Sequence, residues 1–569
     1  MKKYLFLLIL ITLLILSNVN MAQENKTALD LLANDFIETL LEFRPVSATL
    51  VGNHKYDDLL SDHSAEHINH VVKKFQELLT KVELIDQGDL TIDEQIDHEL
   101  LISNLKMEIF QLEQLRFWQK NPTVYVDECV QGIYSLLLRD FAPISVRAKN
   151  VALRLAEIPR VISEARQNIK NPSQTFTIAA IEELQTGEKF IDQSAKELSQ
   201  QFPELNKELK TNAKQALKAM AAYRKELQKL LPKLKDNFAI GKENFDYILK
   251  IDHFLPYDSD SLLRLGENIF TKTDFAINVI SQRKFEYEMK LPRSQKPELI
   301  PSKEFSKQDI LFHQEHEIDS MRAWVKNRDI ATIPDYLGKI DIVGTPSFLK
   351  GIIPSLALRP AGPLDSVPTS YLYIPPIPNQ MDSATKHWYY LGVKNRFWRN
   401  GILHECYPGH HFQLSIANHH PSLIRKLQAS TILIEGWALY CEQMVVDNGL
   451  YPDDLFKELH WLNGVRFRAA RVILDVMLQT GRMTFDEAVD FLLDRFGTDT
   501  TYYQKEVRRY CLLPTQPMSY LVGKTLIMEL RDEYKQKMGD KYSLKDFHDK
   551  LLAEGSIPIS LIRKKLLSQ

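Results

Sequence analysis

Leu29-x-x-Leu32-x-x-x-Phe36-x-x-x-Leu40-x-x-Phe43 puts five apolar side chains on one stripe of a helix, because steps of three and four residues return to the same face. Similar stripes run from Ile68 to Val82, Ile92 to Phe117, Ala148 to Ile169, Thr177 to Leu198 and Pro203 to Leu231, the last opened by a proline suited to a first turn. Lysine and glutamate fill the opposite faces, which read as the solvated side of a helical bundle. Helical patterning continues over Asp258–Glu288 and Lys307–Asn327, and again from Thr385 to the carboxy terminus, with a polar loop from Leu291 to Ser306. His313 and His316 lie in the second of these helices at a spacing with no further ligand pattern, and read as hydrated surface. The expected fold class is mainly α.

Composition narrows the possibilities. Only 21 glycines in 569 residues suit long helices better than many tight turns. A net charge of -3 gives no reason to expect a nucleic-acid partner. Lys2 and Lys3 precede an apolar run from Tyr4 to Leu16, with the small residue Ala22 beyond it, so residues 1–22 read as a secretory signal peptide. The run is shorter than the ~20 residues of a membrane span, so no span is expected in the mature chain, with an uncleaved anchor as the alternative. Export to the periplasm or the extracellular space follows. Cys129, Cys406, Cys441 and Cys511 are too scattered for a cysteine-rich zinc site, and the sequence does not choose among their possible pairings.

Composition shifts after Gly344, where eight prolines fall between Pro346 and Pro378. Proline is excluded from helix interiors and central strands, so this stretch reads as irregular or edge-strand chain. Ser370-Tyr371-Leu372-Tyr373-Ile374 is the one credible strand, expected at a sheet edge, where it could hold an extended peptide by strand addition. No flexible linker marks a boundary. The organisation expected is one large helical body, with residues 23–340 as an amino-terminal half and 341–569 as the half that carries the chemistry.

That chemistry concentrates in Leu403-His404-Glu405-Cys406-Tyr407-Pro408-Gly409-His410-His411-Phe412-Gln413. A hydrolytic zinc needs three protein ligands, an open position and a nearby base. The HExxH helix supplies two histidines at i and i+4 beside a glutamate. His404 and Glu405 begin that pattern, but Pro408 occupies i+4. On a regular helix i+6 lies about 120° from His404, and i+7 lies ~10 Å along the axis, so neither reaches a common ion. The helix is therefore expected to bulge at Pro408-Gly409 and present His410, with His411 as the fallback ligand. Cys406 faces away and reads as packing.

A third ligand is expected from another helix. Glu435 and Glu442 interrupt the apolar run Thr431 to Glu442 and share a face, and a carboxylate in so apolar a segment is costly to bury unless it is paired or bound to metal. Glu435 is read as the ligand. Glu442 is read as accepting a hydrogen bond from a histidine.

These residues resemble the bacterial domain-of-unknown-function family numbered eight-eight-five, whose members are often labelled lipoproteins. The resemblance rests on His404-Glu405-x-Tyr407-Pro408-Gly409-His410-His411 and Glu435-Gly436-Trp437-Ala438-Leu439-Tyr440. It extends to Arg468-Ala469-Ala470-Arg471 with Asp475, Arg509-Tyr510, Ser519-Tyr520, Gly523-Lys524, Phe547-His548 and Gly555-Ser556-Ile557-Pro558. It covers most of the mature chain. It implies a mainly helical, gluzincin-type zinc metallopeptidase with one zinc ion on two histidines and a glutamate, acting on peptides. The chain departs from the family pattern at Gln479, where a histidine is usual; a glutamine there could still donate a hydrogen bond to an oxyanion but carries no charge.

On this reading Glu405 takes a proton from zinc-activated water and passes it to the leaving amine, and Tyr520 donates to the tetrahedral oxygen. Packing at a helix start is the plain alternative for Tyr520. Arg471 and Asp475, four apart, are either a helix-surface pair, a support for the site or a holder of a substrate carboxylate. Arg508 and Arg509 are candidates to anchor a peptide terminus. Two further readings use the same metal site: a catalytically silent helical binding protein, and hydrolysis of a bond other than a peptide.

Overall fold

Thr27 caps the first helix. Its hydroxyl accepts from the Asp30 backbone while the Asp30 carboxylate accepts from the Thr27 N–H, so two end donors are satisfied where the apolar stripe begins. The helix runs Ala28–Phe43, and Leu29, Phe36 and Phe43 are buried along it. The computed structural model describes residues 27–290, 307–346, 356–374, 382, 397–450, 455–497 and 499–568. The signal-like segment, the polar loop of residues 291–306, part of the proline-rich stretch and the resumption of helix near Thr385 lie outside them.

The protein is mainly α with one small sheet. The stripes become helices with local departures. Ile92 to Phe117 is not one helix but Ile92–Phe110 followed by a wider π turn, Gln111–Leu115. Pro203 opens a 3₁₀ turn, Pro203–Leu205, and the α-helix proper is Asn206–Leu230.

The sheet holds β1 (Ile340–Gly344), β2 (Ala357–Arg359) and β3 (Ser370–Ile374) in the order β1-β3-β2. β3 was expected at an edge and lies in the middle. It pairs in parallel with β1, Ile340 opposite Ser370, and antiparallel with β2, Leu358 opposite Leu372. Leu372, Tyr373 and Ile374 are all buried, as suits an interior strand covered on both faces. β1 and β2 are the two edges.

Helices that frame the chemistry follow the sheet: α1 (Phe397–Glu405), α2 (His410–Ala417), α3 (Thr431–Asp447), α4 (Leu455–Gln479), α5 (Thr500–Leu512) and α6 (Gln516–Met538). The largest core joins Leu29, Phe75 and Leu105 to Leu403, Trp437, Leu521 and Leu566, so both ends of the chain bury the same apolar surface. A fully buried arginine bolts them together. Arg425 pairs with Asp93 (3.0 Å), Asp97 (2.5 Å) and Glu554 (2.7 Å). Among the described residues no helix is long and apolar enough to cross a membrane.

Candidate metal centre

His404 is the penultimate residue of α1 and His410 the first of α2. The expected bulge is a full break. The helix ends at Glu405 with a last i to i-4 bond from Cys406 N–H to Ile402 O (2.8 Å), the Tyr407–Pro408 peptide is cis, and the chain re-enters a helix with Gln413 N–H donating to Gly409 O (3.1 Å). The turn is so tight that a Cβ on Gly409 would lie 1.8 Å from the His404 carbonyl oxygen, so only glycine fits. The reversal brings the two imidazoles edge to face, with ring centroids 4.7 Å apart.

α3 docks on this turn through Trp437, whose buried Nε1–H donates to the Pro408 carbonyl (2.8 Å). Glu435 is thereby held against both histidines. Its Oε2 lies 3.5 Å from His404 Nε2 and 3.3 Å from His410 Nε2. Two turns along α3, Glu442 Oε1 meets His404 Nδ1 at 3.0 Å and Arg468 at 3.3 Å. His404 Nδ1–H therefore donates to Glu442, which turns Nε2 toward Glu435.

Ligand atoms of His404, Glu405 and His410 all lie within 4.8 Å of one another, so a third position is open to either glutamate. Glu405 Oε2 is tied to the Leu358 N–H of β2 (2.9 Å), whereas Glu435 Oε2 is buried, faces both Nε2 atoms and makes no geometrically sound hydrogen bond. Of the two, Glu435 has the carboxylate oxygen placed to face an ion shared with both histidines, and Glu405 lies beside it. Two imidazoles, a carboxylate and an unsatisfied buried oxygen between them suit a divalent cation of the zinc class.

Electrostatics agree with a site built for positive charge. Burial alone would depress the His404 imidazole, but Glu435 and Glu442 outweigh it and raise its pKa to about 10. Burial pushes the Glu435 carboxyl upward, yet the neighbouring His410 and His404 hold it well below the usual range. Glu405 goes the other way: burial dominates and raises it. The metal-facing side chains are not sealed, since His404 and His410 each remain 10% exposed and Glu435 16%.

α6 forms the next wall. Gly436 of α3 and Gly523 of α6 meet so closely that a Cβ on Gly523 would sit 1.8 Å from the Ile432 carbonyl oxygen. The crossing brings Tyr520 near the histidines, its ring stacked 6.0 Å from that of His404. Gln516 Nε2 donates both to Tyr520 OH and to Glu435 Oε1, each at 3.2 Å. Burial raises the Tyr520 phenol, so it remains a protonated donor.

The remaining candidates fall outside this cluster. His411 turns to Ser370 Oγ on β3 (2.9 Å), and burial lowers its pKa to about 4, so it is not among the converging ligand atoms. Arg471 and Asp475 do not pair with each other. Asp475 accepts the Thr515 and Met518 N–H groups (3.2 and 3.1 Å), anchoring the start of α6, while burial raises its pKa to about 8. Gln479 is fully buried and donates to the Tyr510 and Cys511 carbonyls (2.8 and 3.2 Å), so its amide is committed away from the histidines. Arg471 and Arg509 both bind Glu506 in a layer behind Tyr520, and Arg508 points outward to Glu182. Sequence reasoning missed Leu358, Glu506 and Gln516. For Glu506 a signal existed in its spacing of three and four from Arg509 and Tyr510; for Leu358 and Gln516 there was none.

The profile of the bacterial protein family of unknown function DUF885 matches residues 45–566, a span holding every residue of this centre. The chain belongs to that family. No curated protein matches it. The fold of this DUF885 chain is similar to that of a putative lipoprotein of unknown function from Shewanella oneidensis, with a TM-score of 0.77 and 22% identity, covering 95% of this chain and 100% of the other. It is also similar to a putative lipoprotein from Colwellia psychrerythraea, with a TM-score of 0.73 and 18% identity over 95% and 98% of the two chains.

Proposed function

We propose that this DUF885 chain is an exported metallopeptidase holding one zinc ion on His404, His410 and Glu435. The observation that carries the proposal is the convergence of two imidazole Nε2 atoms on one unsatisfied Glu435 oxygen, with the buried Glu405 beside them. When bound, zinc supplies Lewis acidity that makes water more acidic and polarises a carbonyl.

The chain's own groups supply the other roles. Glu442 fixes the His404 ring by accepting from Nδ1. Glu405 takes a proton from the attacking water as the new C–O bond forms, and delivers it to the leaving nitrogen as the C–N bond breaks. Its tie to Leu358 N–H sets its direction. Tyr520 receives a hydrogen bond from Gln516, which leaves its own proton free for the oxygen on which negative charge develops.

A peptide substrate is favoured by β2. Because Leu358 N–H points away from β3 and toward Glu405, the outer edge of the strand faces the site, where an extended chain could lie alongside it. Export is supported by the signal-like residues 1–22 and by the description of both similar proteins as putative lipoproteins.

The test is cleavage of a peptide library by the zinc-loaded wild type and by Glu405→Gln, with zinc content measured in both. Wild-type cleavage lost in the variant at equal zinc content is expected. Zinc bound by both with no Glu405-dependent cleavage would leave a silent metal-binding protein and end the peptidase reading.

A further inference from the structure

Behind Tyr520 lies a group of charges that the hydrolytic steps leave unused. Arg471 of α4 and Arg509 of α5 both donate to Oε2 of Glu506, at 2.9 and 3.0 Å, and the same oxygen accepts from Tyr510 OH at 2.8 Å. Two guanidinium groups thus share one carboxylate. Their side chains are only 11% and 14% exposed, and that of Glu506 3%. Withdrawing an unbalanced charge from water is expensive, so a pair kept for structure alone would be expected to carry a second acid.

Both guanidinium groups are held by further contacts. Arg471 lies over the rings of Phe467 and Tyr520, 4.9 Å from each centroid, and its Nε donates to Tyr510 OH (3.1 Å). Arg509 Nη1 donates to Gln516 Oε1 (2.9 Å), and Gln516 reaches Glu435. The neighbouring Arg468 is answered by Glu442, and Arg508 by Glu182.

We propose that Arg471 and Arg509 receive the free C-terminal carboxylate of a short peptide. The planar guanidinium fork matches a carboxylate, which a lysine would meet only as a point charge. Tyr520 sets the scale. Its ring is 6.0 Å from His404 and 4.9 Å from Arg471, so the guanidinium lies within about 11 Å of the imidazole, and one extended residue spans at most ~3.6 Å. For a substrate that runs extended between them, the bond cut therefore lies within about three residues of its C terminus. This inference rests on the peptidase reading of the metal centre.

Two measurements separate the inference from that reading. Acetylated random tetrapeptides ending in a free acid or an amide are incubated with the zinc-loaded wild type, and products are identified by mass spectrometry. The same two pools are titrated calorimetrically into zinc-loaded Glu405→Gln, with and without Arg471→Gln. Melting temperature and zinc content are checked for each variant, with Arg471→Lys and Arg509→Gln as alternatives should Arg471→Gln not fold. Expected is a preference for the acid of about 100-fold in kcat/KM, lost in Arg471→Gln through slower turnover of the acid alone and only partly restored by lysine. Equal cleavage of acid and amide would overturn the carboxylate site and leave the peptidase reading standing. Acid-selective binding without wild-type cleavage would overturn the peptidase reading and the cleavage position with it. Neither binding nor cleavage would overturn both.

Discussion

Glu442 shows how much one buried carboxylate can control without touching the metal position. Its Oε1 accepts from His404 and Arg468, and burial, which works against its ionisation, is overcome by Arg468 and His404. Glu442→Gln is expected to weaken zinc binding by about 10- to 100-fold without changing its stoichiometry, measured by competition with a chelator; unchanged affinity would show that Glu442 does not set the ring. His548 makes a separate prediction about pH. Its Nδ1–H donates to the Ile330 carbonyl and its Nε2 accepts from Tyr440 OH, both at 2.8 Å, so the buried ring has no place for a second proton. Burial lowers its pKa to about 4, below the ordinary 6.5. A depressed folded pKa means that its stabilisation is present above pH 6.5 and is lost as pH falls through 4, an effect of roughly 3 kcal/mol. Urea unfolding across that window should show a shallower loss for His548→Gln than for the wild type. His404, His410 and Glu435 were legible because ligand chemistry restricts residue type and helix geometry restricts spacing. Gln516 and Leu358 were not, since one acts through an ordinary amide and the other through its backbone.

Among elements, the close crossing of α3 and α6 and the docking of α3 on the Pro408 turn position the centre. Gly523→Ala would force a methyl group into the Ile432 carbonyl, 1.8 Å away, and should destabilise the protein by about 1–3 kcal/mol or more. Trp437→Phe keeps the ring but leaves the Pro408 carbonyl without its indole donor, at a cost of about 1–3 kcal/mol. Thermal unfolding reads both; an unshifted melting temperature for Gly523→Ala would show that the helices can move apart freely. The sequence pointed to an interruption at Pro408-Gly409 but not to its extent. Proline and glycine mark where a helix fails, whereas the return path depends on the His404 carbonyl that Gly409 must pass. The sheet was read less well. Ser370–Ile374 was visible by its alternation and aromatic content, but its partner β2 is only three residues, too short for a periodic signal.

For the whole molecule, the division into residues 23–340 and 341–569 describes where chemistry sits, while the main core is built from both. Residues 341–569 expressed alone should lack a cooperative unfolding transition, because the partners of Leu403, Trp437 and Leu566 would be missing; a sharp transition would show an independent core. Arg425→Met would remove the cation paired with Asp97 and leave Asp93 and Glu554 to Lys565 alone, and should cost about 3–5 kcal/mol in urea unfolding. The same architecture bears on the order of events during synthesis. Lys565 meets Asp93 at 2.6 Å and Lys564 meets Glu99 at 2.7 Å, contacts between segments made first and last, 472 and 465 residues apart. Closing so long a loop requires nearly the entire chain, so the first helices leave the ribosome with an apolar face whose permanent cover does not yet exist. Arrival of the helix Ile559–Ser568 is thus a step on which the native packing of residues 93–99 waits.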